Sequence, residues 1–393
     1  MVQVILANRY IGLKSVLERF GAGFDRCFNG GYLQLLHQHP CRARNLISPA
    51  NKNCEAELTM RYVIARLTLS ILMLGAFTAN AAEPVYQVTV KQVLSGDVKW
   101  DYLNFDAGSK RLFITRGDHV DVYDTAIGRV VATISDTQGV HGVALAPDLN
   151  RGYTSNGLSR TVTIFELSSS KVLGTLPTEK KPDAIVYDPF TQRVFVANGD
   201  SGSLTVIDAK EAKVIATVVI GGKLEFEAVD GKGRLYVNVE DRSSLAVVDT
   251  SKLLVIATHD LSPACKEPTG LSIDPATERL FVGCRNQKMA VVSGLSGQIL
   301  ASVPVGKGCD ATAYDGGLRL AFASSGDGTL TVMSTDSYAV VQTVPTQPTA
   351  RTMALDDTSH RIYTVAAESE APGSTGGRPK LKPGTFTLIT VSR

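Results

Sequence analysis

The stretch RVFVANGDSGSLTVIDAKEAKVIATVVIGG, residues 193–222, contains the unit that decides the fold. Arg193 begins a short apolar run with an aromatic third residue, a turn rich in Asn, Gly and Asp follows, and a second apolar run ends at Asp208. A third run begins at Lys213, and a fourth precedes Arg193 and ends at Asp188. Runs this short, separated by turn residues, are typical of β-strands rather than helices.

The same unit recurs seven times along the chain. Successive Arg anchors are separated by 40, 42, 41, 45, 40 and 42 residues. The anchors are Arg111, Arg151, Arg193, Arg234, Arg279, Arg319 and Arg361. Four short strands in a period of about 41 residues are typical of one propeller blade. Because a lone blade cannot bury both of its faces, seven such units are expected to stack and close into a ring.

The two ends of the repeat array are complementary. The seventh repeat ends at residues 386–391, FTLITV, and lacks a fourth strand, whereas residues 86–94, YQVTVKQVL, form a spare strand before the first repeat. We therefore predict an all-β protein, a seven-bladed β-propeller of four-stranded blades over residues 82–393, closed by an N-terminal strand that completes the last blade. A β-sandwich or solenoid is the alternative, but neither would explain one missing strand and one spare strand.

The segment before the repeats predicts export. Residues 67–77, LTLSILMLGAF, follow Arg61 and Arg66 and precede an Ala-Asn-Ala sequence, which is the pattern of a cleaved secretory signal peptide. We predict a signal peptide over residues 60–81 and a periplasmic or secreted mature chain. A membrane anchor is the alternative, but the apolar run is shorter than the roughly 20 residues that span a bilayer, so no membrane span is predicted.

Residues 1–59 are predicted to be an upstream extension outside the working protein, because Met60 stands directly before the basic start of the signal peptide. Residues 1–81 hold nine Lys or Arg and four Asp or Glu, out of 40 and 38 in the whole chain. The mature chain would therefore carry a net charge of about −3, which disfavours general nucleic-acid binding.

The repeat alignment also predicts a functional face. In a propeller the inner strands begin at one face and converge on the central channel, so their first residues line the channel mouth. Counting nine or ten residues back from each anchor Arg gives the predicted ligand-binding positions. They are Asp101, His141, Asp183, Glu225, Thr269, Asp310 and Arg351. Arg116, at the end of a strand in the first repeat, is an eighth candidate, because a long cation near Asp101 would neutralise the ring or bind an anion.

The four carboxylates of this ring are candidate ligands for a divalent cation, the one cofactor that the sequence suggests. They are Asp101, Asp183, Glu225 and Asp310. Crowded, partly desolvated carboxylates repel one another, so such a ring favours a bound cation, a cationic ligand, or compensation by His141 and Arg351. The alternative is structural, because an Asp at a strand start often accepts hydrogen bonds from backbone N–H groups. For Arg116 the alternative is a solvated surface side chain.

Three cysteines belong to the predicted mature chain, which permits one disulfide and one free thiol in an oxidising compartment. Cys265 precedes the fifth repeat's inner strand and Cys284 ends the next strand of the same blade, whereas Cys309 lies one blade further on. Because adjacent strands are close enough for a disulfide, Cys265–Cys284 is predicted, with Cys284–Cys309 and three free thiols as alternatives. This bridge would stabilise the fold by about 3 kcal/mol.

Residues 193–222 resemble the YVTN β-propeller repeat, and residues 83–393 as a whole are similar to the YncE-like periplasmic members of that family. The resemblance implies a propeller in an extracytoplasmic compartment with a binding or scaffold role, and it leaves the chemistry open, since a fold does not imply a function. The chain departs from the repeat at Cys284, which replaces a terminal Asn, and at residues 368–384, a Pro- and Gly-rich addition.

Two function classes stay open at this stage. The sequence has no H-E-x-x-H, G-x-S-x-G, P-loop or C-x-x-C motif, which favours a binding or scaffold module that recognises a protein partner or a small-molecule ligand on the channel face. The alternative is a metal-assisted hydrolase or lactonase that uses the carboxylates at the channel mouth. We expect a monomer, and the choice between a binding module and an enzyme stays open, with the binding module favoured.

Overall fold

The structure is a computed structural model that describes residues 85–96, 99–370 and 380–393. The predicted extension, residues 1–59, and the predicted signal peptide, residues 60–81, lie outside the described residues. No helix within the described ranges is long and apolar enough to cross a membrane.

The described residues form a first strand, β1 (Gln87–Val93), and then six complete four-stranded antiparallel sheets in chain order. Blades 1 to 3 comprise β2 (Leu103–Asp106), β3 (Arg111–Thr115), β4 (Val120–Asp124), β5 (Arg129–Ile134), β6 (Val140–Ala146), β7 (Arg151–Asn156), β8 (Thr161–Glu166), β9 (Val172–Pro177), β10 (Pro182–Asp188), β11 (Arg193–Asn198), β12 (Ser203–Asp208) and β13 (Lys213–Val219). Blades 4 to 6 comprise β14 (Leu224–Val229), β15 (Arg234–Val239), β16 (Ser244–Asp249), β17 (Leu254–Asp260), β18 (Pro268–Asp274), β19 (Arg279–Cys284), β20 (Lys288–Ser293), β21 (Ile299–Pro304), β22 (Cys309–Asp315), β23 (Leu320–Ser325), β24 (Thr329–Ser334) and β25 (Val340–Pro345). Single 3-10 turns occupy Pro147–Leu149 and Glu240–Arg242.

The seventh blade contains both ends of the repeat array. It comprises β26 (Met353–Asp356), β27 (Arg361–Ala366) and β28 (Thr387–Ser392), with β1 paired antiparallel to β28 as the outer edge. The innermost strands contact one another in sequence around the axis, and β26 returns to β2, which closes the ring. The predicted fold is therefore confirmed, including the closure by the N-terminal strand.

The core lies between neighbouring blades rather than within one sheet. The two middle strands of each blade are almost fully buried, whereas the outer strand β13 alternates between exposed and partly buried residues because one face meets water. Phe195 of blade 3 packs in one apolar cluster with Leu235 and Val237 of blade 4. Burial of each such side chain contributes roughly 1.5–3 kcal/mol, which is why the blades must stack.

The anchor Arg of the repeat joins one blade to the next. Arg193 Nη1 donates to the carbonyl oxygens of Thr250 (2.5 Å) and Ser251 (3.1 Å) in the turn that follows β16 of the neighbouring blade. Arg111, Arg151 and Arg279 donate equivalent bonds to backbone carbonyls of the next blade, whereas Arg234 Nη1 donates to the carboxylate of Glu278 in the next blade at 2.7 Å. Arg319 instead pairs with Asp336 of its own blade.

Candidate functional site

The inner strands direct one side chain each toward the channel. His141, Asp183, Glu225, Thr269 and Asp310 are each the second residue of their inner strand, and the pairing with the next strand is irregular at or beside each of them. Such bulges change the direction in which a side chain points and are common beside functional sites. Asp101 and Arg351 precede the shorter inner strands of blades 1 and 7 by two residues.

A cavity of about 370 Å³ lies where these residues converge. Six of the eight predicted site residues line it: Asp101, His141, Asp183, Glu225, Asp310 and Arg351. The sequence analysis missed Tyr102, Lys181, Lys223 and Arg285, which also line it together with Gly308 and Gly326. Four carboxylates and four Lys or Arg side chains therefore share one small space, so the ring is not the mainly acidic one that the sequence predicted.

Two predicted site residues do not line this cavity. Thr269 is buried, and its hydroxyl donates to the carbonyls of Cys309 (2.8 Å) and Gly283 (3.2 Å), because a short side chain at this position reaches the backbone of blades 5 and 6 rather than the channel. Arg116 is 1% exposed, so the expectation of a residue at the channel mouth is wrong. It pairs with Asp121 at 2.6 Å and lies 3.9 Å from the ring centre of Phe386.

Two of the carboxylates have strong cationic partners. Arg351 Nε donates to Asp310 Oδ2 at 2.7 Å, and its Nη2 lies 3.4 Å from Asp101. Lys223 Nζ donates to Glu225 Oε1 at 2.9 Å and also pairs with Glu240. Lys223 lowers the pKa of Glu225, but burial and the nearby charge of Asp183 outweigh it and raise that pKa.

Asp101, His141 and Asp183 form a tighter group. His141 Nδ1 lies 2.6 Å from Asp101 Oδ2 and 3.6 Å from Asp183 Oδ1. Burial lowers the pKa of His141, but the hydrogen bond to Asp101 and the charge of Asp183 outweigh burial, so the pKa is raised. Burial raises the pKa of Asp183 above its ordinary value. One donor atom from each residue lies within 4.8 Å of the other two, which suits a divalent metal ion.

The four predicted metal ligands have different neighbours. Asp101 and Asp183 are joined by His141, whereas Glu225 and Asp310 are held by Lys223 and Arg351.

Tyr102 lines the cavity and contacts the opposite side of the ring. Its ring, from blade 1, meets Phe226 of blade 4 edge-to-face, with ring centres 4.8 Å apart. Burial and four surrounding carboxylates, Asp183 foremost, raise the pKa of its phenol well above the usual range, so the hydroxyl stays protonated. Among the described residues, neither this hydroxyl nor the Asp183 carboxylate has a hydrogen-bond partner, although both side chains line the cavity and are more than nine-tenths buried.

Glycines after the second strand of blades 2 and 3 leave room for two of these side chains. A Cβ at Gly157 would lie 2.8 Å from His141 Nε2, and one at Gly199 would lie 3.8 Å from Asp183 Oδ2. Blades 4 and 5 carry Glu240 and Arg285 at the same position, where Arg285 Nε donates to Glu240 at 2.7 Å. An alignment of the residue after each second strand would have found this ion pair.

A disulfide stands beside Arg285. Cys265, in the loop before β18, is joined to Cys284 at the end of β19, with their Cα atoms 5.3 Å apart, as the repeat position predicts. Cys309 is a buried free thiol, and burial raises its pKa to about 12. The bridge ties the loop before β18 to the strand that presents Arg285.

The fold and the site together define a seven-bladed β-propeller with a charged axial cavity. No protein-family model matches the chain, and no curated protein matches its sequence.

Proposed function

We propose that this protein is an exported β-propeller binding or scaffold module that holds a small ligand in the axial cavity. One observation carries the proposal: the Asp183 carboxylate and the Tyr102 hydroxyl face the cavity, are more than nine-tenths buried, and have no hydrogen-bond partner among the described residues. An unsatisfied buried polar group costs about 1–3 kcal/mol, so a ligand that bonds to both groups gains affinity from them.

Export and family are part of the same proposal. The apolar run at residues 67–77 supports a cleaved signal peptide and a periplasmic or secreted location, and the repeat at residues 193–222 supports a relationship to YVTN-repeat, YncE-like propellers. The protein acts as a monomer in this proposal, because the ring is closed by its own N-terminal strand.

Gly326 offers a way to test the cavity without disturbing the backbone. It lines the cavity, and a Cβ built on it meets no atom closer than 3.6 Å. Gly326→Phe is expected to fill the cavity and to abolish the thermal shifts that charged metabolites produce with the wild-type protein. Gly174→Phe is the matched control, because a Cβ there has nothing within 4 Å. Shifts that survive Gly326→Phe would refute binding in the cavity.

The arrangement of Asp101, His141 and Asp183 supports a second candidate function. Two carboxylates and an imidazole suit a divalent ion such as Mn²⁺ or Zn²⁺, which would polarise a substrate carbonyl in a metal-assisted hydrolase or lactonase. Protein purified without chelator is expected in that case to contain one equivalent of metal, and Asp183→Asn to lose it. No metal, and no thermal shift with Ca²⁺, Mg²⁺, Mn²⁺ or Zn²⁺, would leave only the binding module.

A further inference from the structure

We propose that the ligand of the axial cavity is a small zwitterion, with its ammonium group bound at Asp183 and its carboxylate bound at Arg285. This inference rests on the proposed binding function and specifies the chemistry of the ligand.

The ammonium group of the ligand would bind to Asp183 and Tyr102. The basic group nearest to the Asp183 carboxylate is His141, whose Nδ1 lies 3.6 Å from Asp183 Oδ1. The carboxylate accepts no hydrogen bond from the described residues. Gly199 leaves open the space beside Asp183 Oδ2. An ammonium group has three donors, so it can bond to the carboxylate and also to the oxygen of the Tyr102 hydroxyl.

The carboxylate group of the ligand would bind to the guanidinium group of Arg285. Its Nε is committed to Glu240 at 2.7 Å, whereas its two Nη atoms donate to no other described residue. Arg285 lines the cavity, its side chain is 42% exposed, and its Nε also lies 3.7 Å from Glu267. It directly follows the disulfide-bonded Cys284, which holds its backbone in place. A guanidinium fork fixed in this way matches a carboxylate with two parallel hydrogen bonds.

Two other carboxylates of the cavity are paired with cavity cations, and Lys181 Nζ lies 3.9 Å from Asp200 outside the cavity. Asp310 is held by Arg351, and Glu225 is held by Lys223. Asp183 and Arg285 thus remain available to a ligand, and a ligand with a single charge would compensate only one of them. The volume of about 370 Å³ lies near the lower end for small-molecule sites, which fits a molecule of the size of an amino acid or dipeptide.

A zwitterion and a divalent ion would compete for Asp183, so the test uses metal-free protein. Calorimetry in EDTA would compare ω-amino acids from glycine to 6-aminohexanoate with the n-alkylamine and the n-alkyl carboxylate of the same chain length. At least one amino acid is expected to bind 10-fold or more tightly than both of its singly charged analogues.

Variants test the two proposed contacts. Asp183→Asn and Arg285→Gln are each expected to lower the affinity for that amino acid at least 10-fold. Glu179→Gln and Arg129→Gln are matched controls on exposed residues outside the cavity, and they are expected to leave the affinity unchanged.

An amino acid that binds no better than its amine or its carboxylate would overturn the zwitterion inference, as would full affinity in either the Asp183 or the Arg285 variant. A different result would refute the proposed binding function itself. In that case, every ligand that shifts the melting temperature of the wild type would shift that of Gly326→Phe equally.

Discussion

At the scale of the residue, Glu227 is an unusual buried acid. It lies on β14, its side chain is almost fully buried, and neither carboxylate oxygen has a hydrogen-bond partner in the described residues. Burial raises its pKa well above the usual range, against a smaller lowering by the Val186 backbone. At a pH above the ordinary pKa of glutamate, Glu227 is therefore protonated in the folded protein and ionised in the unfolded chain.

Glu227→Gln is expected to stabilise the protein at high pH. A raised folded pKa means that the contribution of Glu227 is fully present below about pH 4.5 and is lost as the pH rises toward the folded pKa. The variant should match the wild type at pH 4 and have a higher free energy of unfolding than the wild type at pH 8. Urea titrations at both pH values measure this, and a difference that is independent of pH would contradict the assignment.

Cys309 is expected to be chemically silent in the native protein. Its thiol is buried with a pKa of about 12, and the thiolate is the form that reacts. Iodoacetamide at pH 8 should modify Cys309 only after addition of guanidinium, and non-reducing peptide mapping should recover Cys265 linked to Cys284. Recovery of Cys309 in the bridge, or its rapid alkylation in native protein, would refute this arrangement.

At the scale of the element, the repeat predicted where strands begin but not what its most regular residue does. The anchor Arg marks the start of the second strand in the sequence, and only the structure shows that in blades 1 to 5 it donates to the next blade. Its partner differs between blades: Arg193 donates to a carbonyl 57 residues further on, whereas Arg234 donates to Glu278. Arg361, in the last blade, makes no side-chain hydrogen bond to another described residue.

Replacement of an anchor Arg is therefore expected to have an effect that depends on the blade. Arg193→Met removes two hydrogen bonds to backbone carbonyls and should lower the free energy of unfolding by about 1–3 kcal/mol. Arg361→Met is the matched control and should change it by less than about 0.5 kcal/mol. Chemical denaturation of both variants measures the difference, and equal losses would argue against a role in joining blades.

The candidate site was predictable only as far as the repeat is regular. Positions at the starts of inner strands are fixed by the period, which is why six of the predicted residues share the cavity. Side-chain length and loop partners are not periodic. Thr269 is too short to reach the channel, and Arg116 pairs with Asp121. Arg285 was predictable from the repeat, because it stands at the same position after a second strand as Glu240.

At the scale of the whole molecule, ring closure was predictable because it follows from counting strands. One array end lacked a strand and the other had one to spare, and β1 indeed pairs with β28. Tyr86, next to β1, is 1% exposed and packs edge-to-face on Phe322 of blade 6, and Leu94 is buried at the other end of the strand. The N-terminal strand thus seals the seam between the last two blades as well as the last sheet.

A chain that begins at residue 96 is expected to lose much of the stability that this seal provides. Removal of β1 with Tyr86 and Leu94 exposes an apolar face and an open sheet edge, and should cost at least roughly 3 kcal/mol of unfolding free energy. A chain that begins at Ala82 should melt at the same temperature as the longest form. Equal melting temperatures for the two truncated chains would remove the sealing role of β1.

The register of β1 against β28 has a mechanical consequence. Gln87 is opposite Ser392 and Val93 is opposite Thr387, so the strand ends closest to the two chain termini lie side by side. A force that pulls the termini apart loads the hydrogen bonds one after another, as in a zipper, instead of shearing them together. The β1–β28 pairing therefore stabilises the ring against thermal unfolding but separates easily under a pulling force. In an optical trap, blade 7 should open first, at low force, while blades 1 to 6 stay folded.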